Sequence, residues 1–238
     1  MAGISIETWI FAILGGVVPT FLWLWFWMTE SDGDAPTGLL VLGYIGGMLG
    51  VLVLLPLNSY VARLNLPTNQ ITILYAILEE CVKVSIVGLL AFSPRICVDA
   101  TDYTIYLVTG ALGFSALENT LYLLQPIAHI TDIGSVVITG NLRFFGATVL
   151  HTVTVAIVGI FMGIAYPLGR FGKTIAAFLG IAAGSLIHIM FNTYIELGTR
   201  QGTIIAIAGI WSIALVIIMI FDRLKAYQVQ VSKNTVTS

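Results

Sequence analysis

Seven apolar segments, each long enough to cross a lipid bilayer as a helix, occupy most of this sequence. A helix needs about 20 apolar residues to cross the hydrocarbon core, and its backbone groups must hydrogen bond within the segment. The predicted spans are residues 4–28, 37–57, 71–92, 103–124, 141–167, 173–197 and 203–221. The sequence therefore predicts an all-α fold, a polytopic bundle of about seven transmembrane helices.

Composition agrees with lipid as the solvent of this chain. Of its 238 residues, 58% are hydrophobic and 9% are charged, whereas a soluble domain carries about 25% charged residues. The net charge of −2 argues against nucleic acid as a partner. Cys81 and Cys97 have neither disulfide-framework nor metal-ligand spacing and are expected to be small apolar fillers.

The chain is expected to form one domain, residues 1–225, followed by a polar tail at 226–238 that we expect to be disordered. Residues 127–140 are too few and too polar to span easily, so a surface-lying or re-entrant segment is favoured over an eighth span. His129 falls in this segment and is expected to be solvated.

Charged and strongly polar residues interrupt four of the spans. A charge at the bilayer centre costs at least about 2.5–3.5 kcal/mol, so such residues are candidates for function unless they are paired. Arg143 opens its span and Glu196 closes its span, and both are interpreted as interfacial charges, although Arg143 could anchor a substrate carboxylate. The other members of the group are Glu79, Glu80, Lys83, Glu118, Asn119, His151, Thr154, His188 and Asn192.

Four of these residues are predicted to lie at one depth. Glu79 and His151 follow the starts of their spans by eight and ten residues, and Glu118 and His188 precede the ends of theirs by six and nine. Because successive spans run antiparallel, these distances bring all four side chains nearer the same membrane face. The sequence therefore predicts one polar site between four helices.

The residue types in this site favour hydrolysis by an activated water. A carboxylate can remove the proton of a water, and neighbouring imidazole and amide groups can stabilise an oxyanion. Lys83 is spaced to pair with either Glu79 or Glu80. Alternatively, two imidazoles and one carboxylate could supply three ligands of an open zinc site.

Four short motifs resemble those of the PrsW family of intramembrane proteases, a family related to the CAAX-prenyl endoproteases and CPBP proteins. They are EECVK at 79–83, FSALEN at 114–119, HTVT at 151–154 and HIMFN at 188–192. The motifs follow one another in order on four apolar spans. The likeness also includes the first hairpin, with LWLWFWMTESDGDAP at 22–36.

The resemblance implies proteolysis in the membrane, with Glu79 as general base and Glu80 and Lys83 orienting it. His188 and Asn192 would hold the water or the oxyanion. Glu118 stands where CAAX-type enzymes carry a histidine, and His151 would stand in from the next helix. The resemblance leaves open whether zinc is used, and the ligands would then be His151, His188 and Glu79. It also implies the plasma membrane of a prokaryote and a single-pass membrane substrate, such as an anti-sigma factor.

Three other functions are weighed against proteolysis. A transporter or proton relay could use buried carboxylates and histidines, but it predicts interrupted spans in matching halves. A non-catalytic membrane scaffold would not need both Glu79 and Glu80. A haem protein would use the two histidines as axial ligands and leave the carboxylates unexplained.

Basic residues predict the orientation of the bundle. Connections on one side, with the tail, hold more lysine and arginine than those on the other side, which places the tail in the cytoplasm and the N-terminus outside. The residues on the basic side are Arg95, Arg170, Lys173, Arg223, Lys225 and Lys233, and those on the opposite side are Arg63, Arg200 and Arg143. The polar site is then predicted in the outer half of the bilayer.

Overall fold

The computed structural model describes residues 6–30, 35–92, 95–128 and 142–236, and within these ranges every regular element is a helix. Seven long helices follow the seven predicted spans, and a five-residue π-helical turn, Arg143–Ala147, precedes the fifth. The helices are α1 (Ile6–Glu30), α2 (Thr37–Ala62), α3 (Thr68–Ala91), α4 (Asp102–Ala128), α5 (Thr148–Ile164), α6 (Arg170–Glu196) and α7 (Arg200–Val236). The predicted all-α polytopic fold is confirmed.

Six candidate membrane spans are found among the described residues, and α3 is the helix that is not one of them. Its composition explains the difference. Any 18-residue stretch of Thr68–Ala91 contains three charged residues, Glu79, Glu80 and Lys83, which is more than an apolar span usually carries. Helix α3 is nevertheless 24 residues long and is packed between other spans. The charges that lower its hydropathy are therefore enclosed by protein rather than lipid.

Two helices form the centre of the bundle. Helix α4 packs against α1, α2, α3 and α5, whereas α5 packs against α3, α4, α6 and α7. Side chains on both helices, such as Leu107 and Leu112 on α4 and Val155 and Val158 on α5, are fully buried. Helix α3 lies between α2 and α6 and also reaches α4 and α5. Helices α3 to α6 therefore enclose one interior region.

Glycines allow the helices to approach closely. A Cβ atom at Gly47 of α2 would lie 1.8 Å from the carbonyl oxygen of Gly110 in α4. Likewise, a Cβ atom at Gly184 of α6 would lie 2.8 Å from the carbonyl oxygen of Thr154 in α5. No hydrophobic driving force brings helices together within a membrane. Small residues let the backbones approach closely, so that the helices associate through van der Waals packing. The contact at Gly184 also brings the next turn of α6, which carries His188, against α5.

The C-terminal part of the chain extends helix α7 beyond its apolar span. Helix α7 continues to Val236 through most of the tail, 226–238, that its polarity predicted to be disordered. The segment contains no glycine or proline to end the helix, so the backbone hydrogen bonds continue beyond the apolar span. His129 and most of the segment predicted at 127–140 lie outside the described residues.

Candidate active site

Six of the predicted site residues converge between α3, α4, α5 and α6. Four of them, Glu79, Glu118, His151 and His188, line one end of a cavity of about 260 Å³, and Glu80 and Lys83 lie behind them. The polar residues that line this cavity are Glu79, Glu118, Tyr122, Arg143, His151, His188, Asn192 and Thr203. Its remaining walls are apolar, among them Leu150, Phe191 and Ile207. Matched depths on antiparallel helices therefore produce the common site that the sequence predicts.

Glu80 lies beneath the cavity and is fully buried. Its Oε1 atom accepts hydrogen bonds from Lys83 Nζ at 2.6 Å and from Thr154 Oγ1 at 3.1 Å. The same oxygen is 2.6 Å from His188 Nδ1. Lys83 thus binds Glu80, one of the two carboxylates that its spacing allowed. Glu80 joins α3, α5 and α6 at one point, which is a positioning role.

His188 is oriented by Glu80 and faces Glu79. When His188 Nδ1 donates to Glu80, its Nε2 atom carries a lone pair, and this atom lies 3.5 Å from Glu79 Oε2. Both facing atoms are then acceptors, so a donor such as a water molecule can bridge them. Glu79 also lines the cavity, with a side chain that is 12% exposed. This pair can bind and deprotonate a water.

His151 is held from both sides of its ring. Lys83 Nζ lies 3.0 Å from His151 Nδ1, and Glu118 Oε2 lies 3.0 Å from His151 Nε2. An ammonium group only donates and a carboxylate only accepts, so the consistent tautomer carries its proton on Nε2. His151 is 2% exposed, and its ring packs edge-on against Phe114 with centroids 5.3 Å apart.

Sequence reasoning missed the part played by Arg143. Its guanidinium group binds Glu118 through Nη2 and donates from Nε to Asn119 Oδ1 at 2.6 Å. The ring of Tyr122 lies 4.4 Å from the guanidinium carbon. An Arg-to-carboxylate bond of this kind is charge-assisted and stronger than a neutral hydrogen bond. The adjacent carboxylate and amide in FSALEN were the signal that could have indicated this partner.

Asn192 is placed at the cavity but not in the hydrogen-bonded cluster beneath it. It lines the wall with Phe191, one turn beyond His188 on α6. Its side chain therefore borders the space that a substrate would fill. This position is compatible with the oxyanion-binding role implied by the resemblance.

Three side chains could hold a metal ion. One ligand atom from each of Glu79, His151 and His188 lies within 4.8 Å of the other two. Two imidazoles and a carboxylate are a known donor set of catalytic zinc, and the carboxylate of Glu80 behind His188 is typical of zinc-bound histidine. The set fits zinc in kind. His151 would, however, need its proton on Nδ1, where it would face the ammonium group of Lys83.

The comparison with protein families agrees with this geometry. The sequence model of the PrsW family intramembrane metalloprotease matches residues 35–222, a range that contains every residue of the cavity. The chain belongs to this family. As a PrsW family member with apolar helices across its length, it is a multi-pass membrane protein of a protease family. No match is found among curated proteins or among solved structures.

Proposed function

We propose that this PrsW family chain is an endopeptidase that hydrolyses a peptide bond of a membrane-anchored protein by means of a water activated at Glu79. The observation that carries the proposal is the pair formed by Glu79 Oε2 and His188 Nε2, which lie 3.5 Å apart on the cavity wall. A general base must reach the proton that it removes through a hydrogen bond. A water in the cavity that hydrogen bonds to both atoms, from one side of the line that joins them, meets that condition.

The remaining residues have distinct roles in the proposed reaction. Glu80 fixes His188 and Lys83, and Lys83 with Glu118 fixes the ring of His151. The amide of Asn192 is the donor available for the developing oxyanion, and His151, whose Nε2–H already donates to Glu118 at 3.0 Å, forms the polar wall beside it. The substrate class is a single-pass membrane protein, such as an anti-sigma factor, in the plasma membrane of a prokaryote.

Water activation by Glu79 alone is favoured over a zinc-bound water. A zinc ion at Glu79, His151 and His188 would polarise the scissile carbonyl and lower the pKa of its bound water. The contact between Lys83 Nζ and His151 Nδ1 at 3.0 Å supports the tautomer whose Nε2 atom donates to Glu118 and has no lone pair for an ion.

The experiment uses purified full-length protein in lipid vesicles and a panel of single-pass membrane peptides. Mass spectrometry should find pairs of fragments whose masses sum to one peptide plus one water. Glu79→Gln should not produce these pairs, whereas Asp222→Asn, which changes an exposed acid on α7, should produce them normally. Fragments that appear equally with Glu79→Gln would contradict the proposal.

A further inference from the structure

The π-helical turn before α5 places Arg143 and His151 on the same side of their helix. In a regular α-helix, residues eight apart are separated by about 80° around the axis. In the turn Arg143–Ala147, the N–H of Thr148 bonds to the carbonyl of Arg143, five residues earlier. This wider turn contains one extra residue, so the rotation from Arg143 to His151 is that of seven α-helical residues rather than eight. The angle between the two side chains around the helix axis is then about 20°.

Both residues use the resulting alignment to contact one atom. Glu118 Oε2 binds Arg143 Nη2 and lies 3.0 Å from His151 Nε2. Glu118 is 26% exposed and borders the cavity, where an unheld carboxylate could adopt other rotamers. The guanidinium group therefore fixes the oxygen that fixes the ring of His151.

A buried polar network holds the π-helical turn in place. Thr148 Oγ1 donates to the carbonyl of Arg143 at 3.1 Å, and Asn119 Nδ2 lies 3.0 Å from Thr148 Oγ1. Asn119 also contacts Ser115 Oγ at 3.1 Å and accepts from Arg143 Nε. The amide of Asn119 thus joins α4 to both ends of the turn. Every contact of this network supports the same position of Arg143.

We propose that Arg143, set by the π-helical turn, is a positioning residue that holds Glu118 against His151 and so fixes the imidazole for the proposed proteolysis. The inference rests on the proposed function only where its test measures the rate of peptide cleavage. It requires that loss of the guanidinium group releases Glu118 and so removes one of the two contacts that hold the ring of His151, while Glu79, Glu80 and His188 keep their contacts through α3 and α6.

The test compares Arg143→Gln, Arg143→Lys and Arg143→Ala with Arg170→Gln, which changes an exposed arginine at the start of α6. With a cleaved peptide, Arg143→Gln should lower kcat by about 10- to 100-fold, the scale known for residues that orient the ligands of metal sites, and change KM little. Arg143→Lys should fall between Arg143→Gln and the wild type. Methylguanidinium should restore part of the kcat of Arg143→Ala, because Arg143 lines an open cavity.

A spectroscopic readout separates this inference from the proposed function. The chain has three histidines, so ¹⁵N-histidine labelling gives few ring signals, and His151→Gln assigns those of His151. Arg143→Gln should shift or broaden the His151 ring signals, and Arg170→Gln should leave them unchanged. Either unchanged His151 signals or an unchanged kcat in Arg143→Gln would overturn the inference. If Arg143→Gln does not fold, the same measurements are made on Arg143→Lys, and unchanged His151 signals and kcat in that variant would overturn the inference.

If the wild type cleaves no peptide, the proposed function fails, and the His151 spectrum still decides the role of Arg143. If cleavage depends on Glu79 but not on Arg143, the proposed function stands and the inference alone fails.

Discussion

At the scale of single residues, two adjacent glutamates have different surroundings. Glu80 is fully buried and bound to Lys83, Thr154 and His188, whereas Glu79 borders the cavity and faces His188 across 3.5 Å. Glu80 is a poor base for a water in the cavity, because its Oε1 atom already accepts these hydrogen bonds and its Oε2 atom is buried outside the cavity lining. The structure therefore supports a division between an anchoring Glu80 and a reactive Glu79.

We predict that Glu80→Gln destabilises the fold. The substitution leaves the ammonium group of Lys83, which is 1% exposed, without its carboxylate. Removing one partner of a buried ion pair costs about 3–5 kcal/mol. Thermal unfolding in detergent should show a clear decrease for Glu80→Gln and little change for Glu79→Gln.

A second substitution tests the reason for this loss. Adding Lys83→Met to Glu80→Gln removes the unpaired charge and should recover part of the melting temperature. Equal melting of the two single glutamine variants would contradict the anchoring role of Glu80. Activity should fall less in Glu80→Gln than in Glu79→Gln, and equal losses would mean that the pair acts as a unit.

A second prediction concerns the zinc content of the active protein. Because Lys83 and Glu118 occupy both nitrogens of His151, we expect active, extensively washed protein to contain less than stoichiometric zinc. Chelators should leave its cleavage rate unchanged. Elemental analysis of the same sample used for the rate measurement checks this. Stoichiometric zinc that is lost together with activity, and restores it on re-addition, would contradict the expectation and assign Glu79, His151 and His188 as ligands.

At the scale of helices, the bundle depends on close contacts at glycine. We predict that Gly47→Ala lowers the melting temperature, because its Cβ atom would lie 1.8 Å from the backbone of α4 and the two helices must separate. Overpacking of this kind typically costs about 1–3 kcal/mol. Gly38→Ala is a matched control on the same helix, since nothing lies within 4 Å of its Cβ position. Equal melting of both variants would show that α2 and α4 do not meet at Gly47.

The geometry of the helices explains how much of the site could be predicted from the sequence. Spacing along each span gives depth, which was sufficient to bring Glu79, Glu118, His151 and His188 together. Rotation about the helix axis was not predictable at Arg143, because the π-helical turn depends on contacts of Thr148 with Asn119 on another helix. Pairing of Lys83 with Glu80 likewise depends on Thr154 and His188, which lie far away in the chain.

The end of α7 illustrates a second limit. Polarity indicates correctly where an apolar span ends, but a helix can continue beyond it where no glycine or proline intervenes. The segment after Phe221 meets this condition up to Val236. Hydropathy therefore predicted the span well and the length of the helix poorly.

At the scale of the whole molecule, the orientation of the bundle decides where a substrate is cut. The hydrogen bond from Thr72 Oγ1 to Glu196, at 2.6 Å, joins the start of α3 to the end of α6 on one side of the bundle. The positive-inside rule predicts that this side, with Arg63 and Arg200, lies outside the cytoplasm. The cavity would then be in the outer half of the bilayer, and the cut near the extracytoplasmic face.

Thiol labelling in intact cells tests this orientation. In a chain lacking Cys81 and Cys97, single cysteines at the exposed positions Arg63 and Arg200 should react with an impermeant reagent. A cysteine at the exposed Arg170 should react only after lysis. It is preferred to Lys173, whose amine packs against Tyr103 and Tyr166. The reverse pattern would place the cavity in the cytoplasmic half.

The most direct measurement of the central claim is the single-turnover rate of peptide cleavage by wild type and Glu79→Gln in the same vesicles. Glutamine keeps the size of the side chain in the cavity but cannot accept a proton from water. We expect a rate about 10²- to 10⁴-fold lower for Glu79→Gln, the range typical of lost general-base catalysis, with unchanged melting and membrane insertion. Cleavage by Glu79→Gln at the wild-type rate would contradict it.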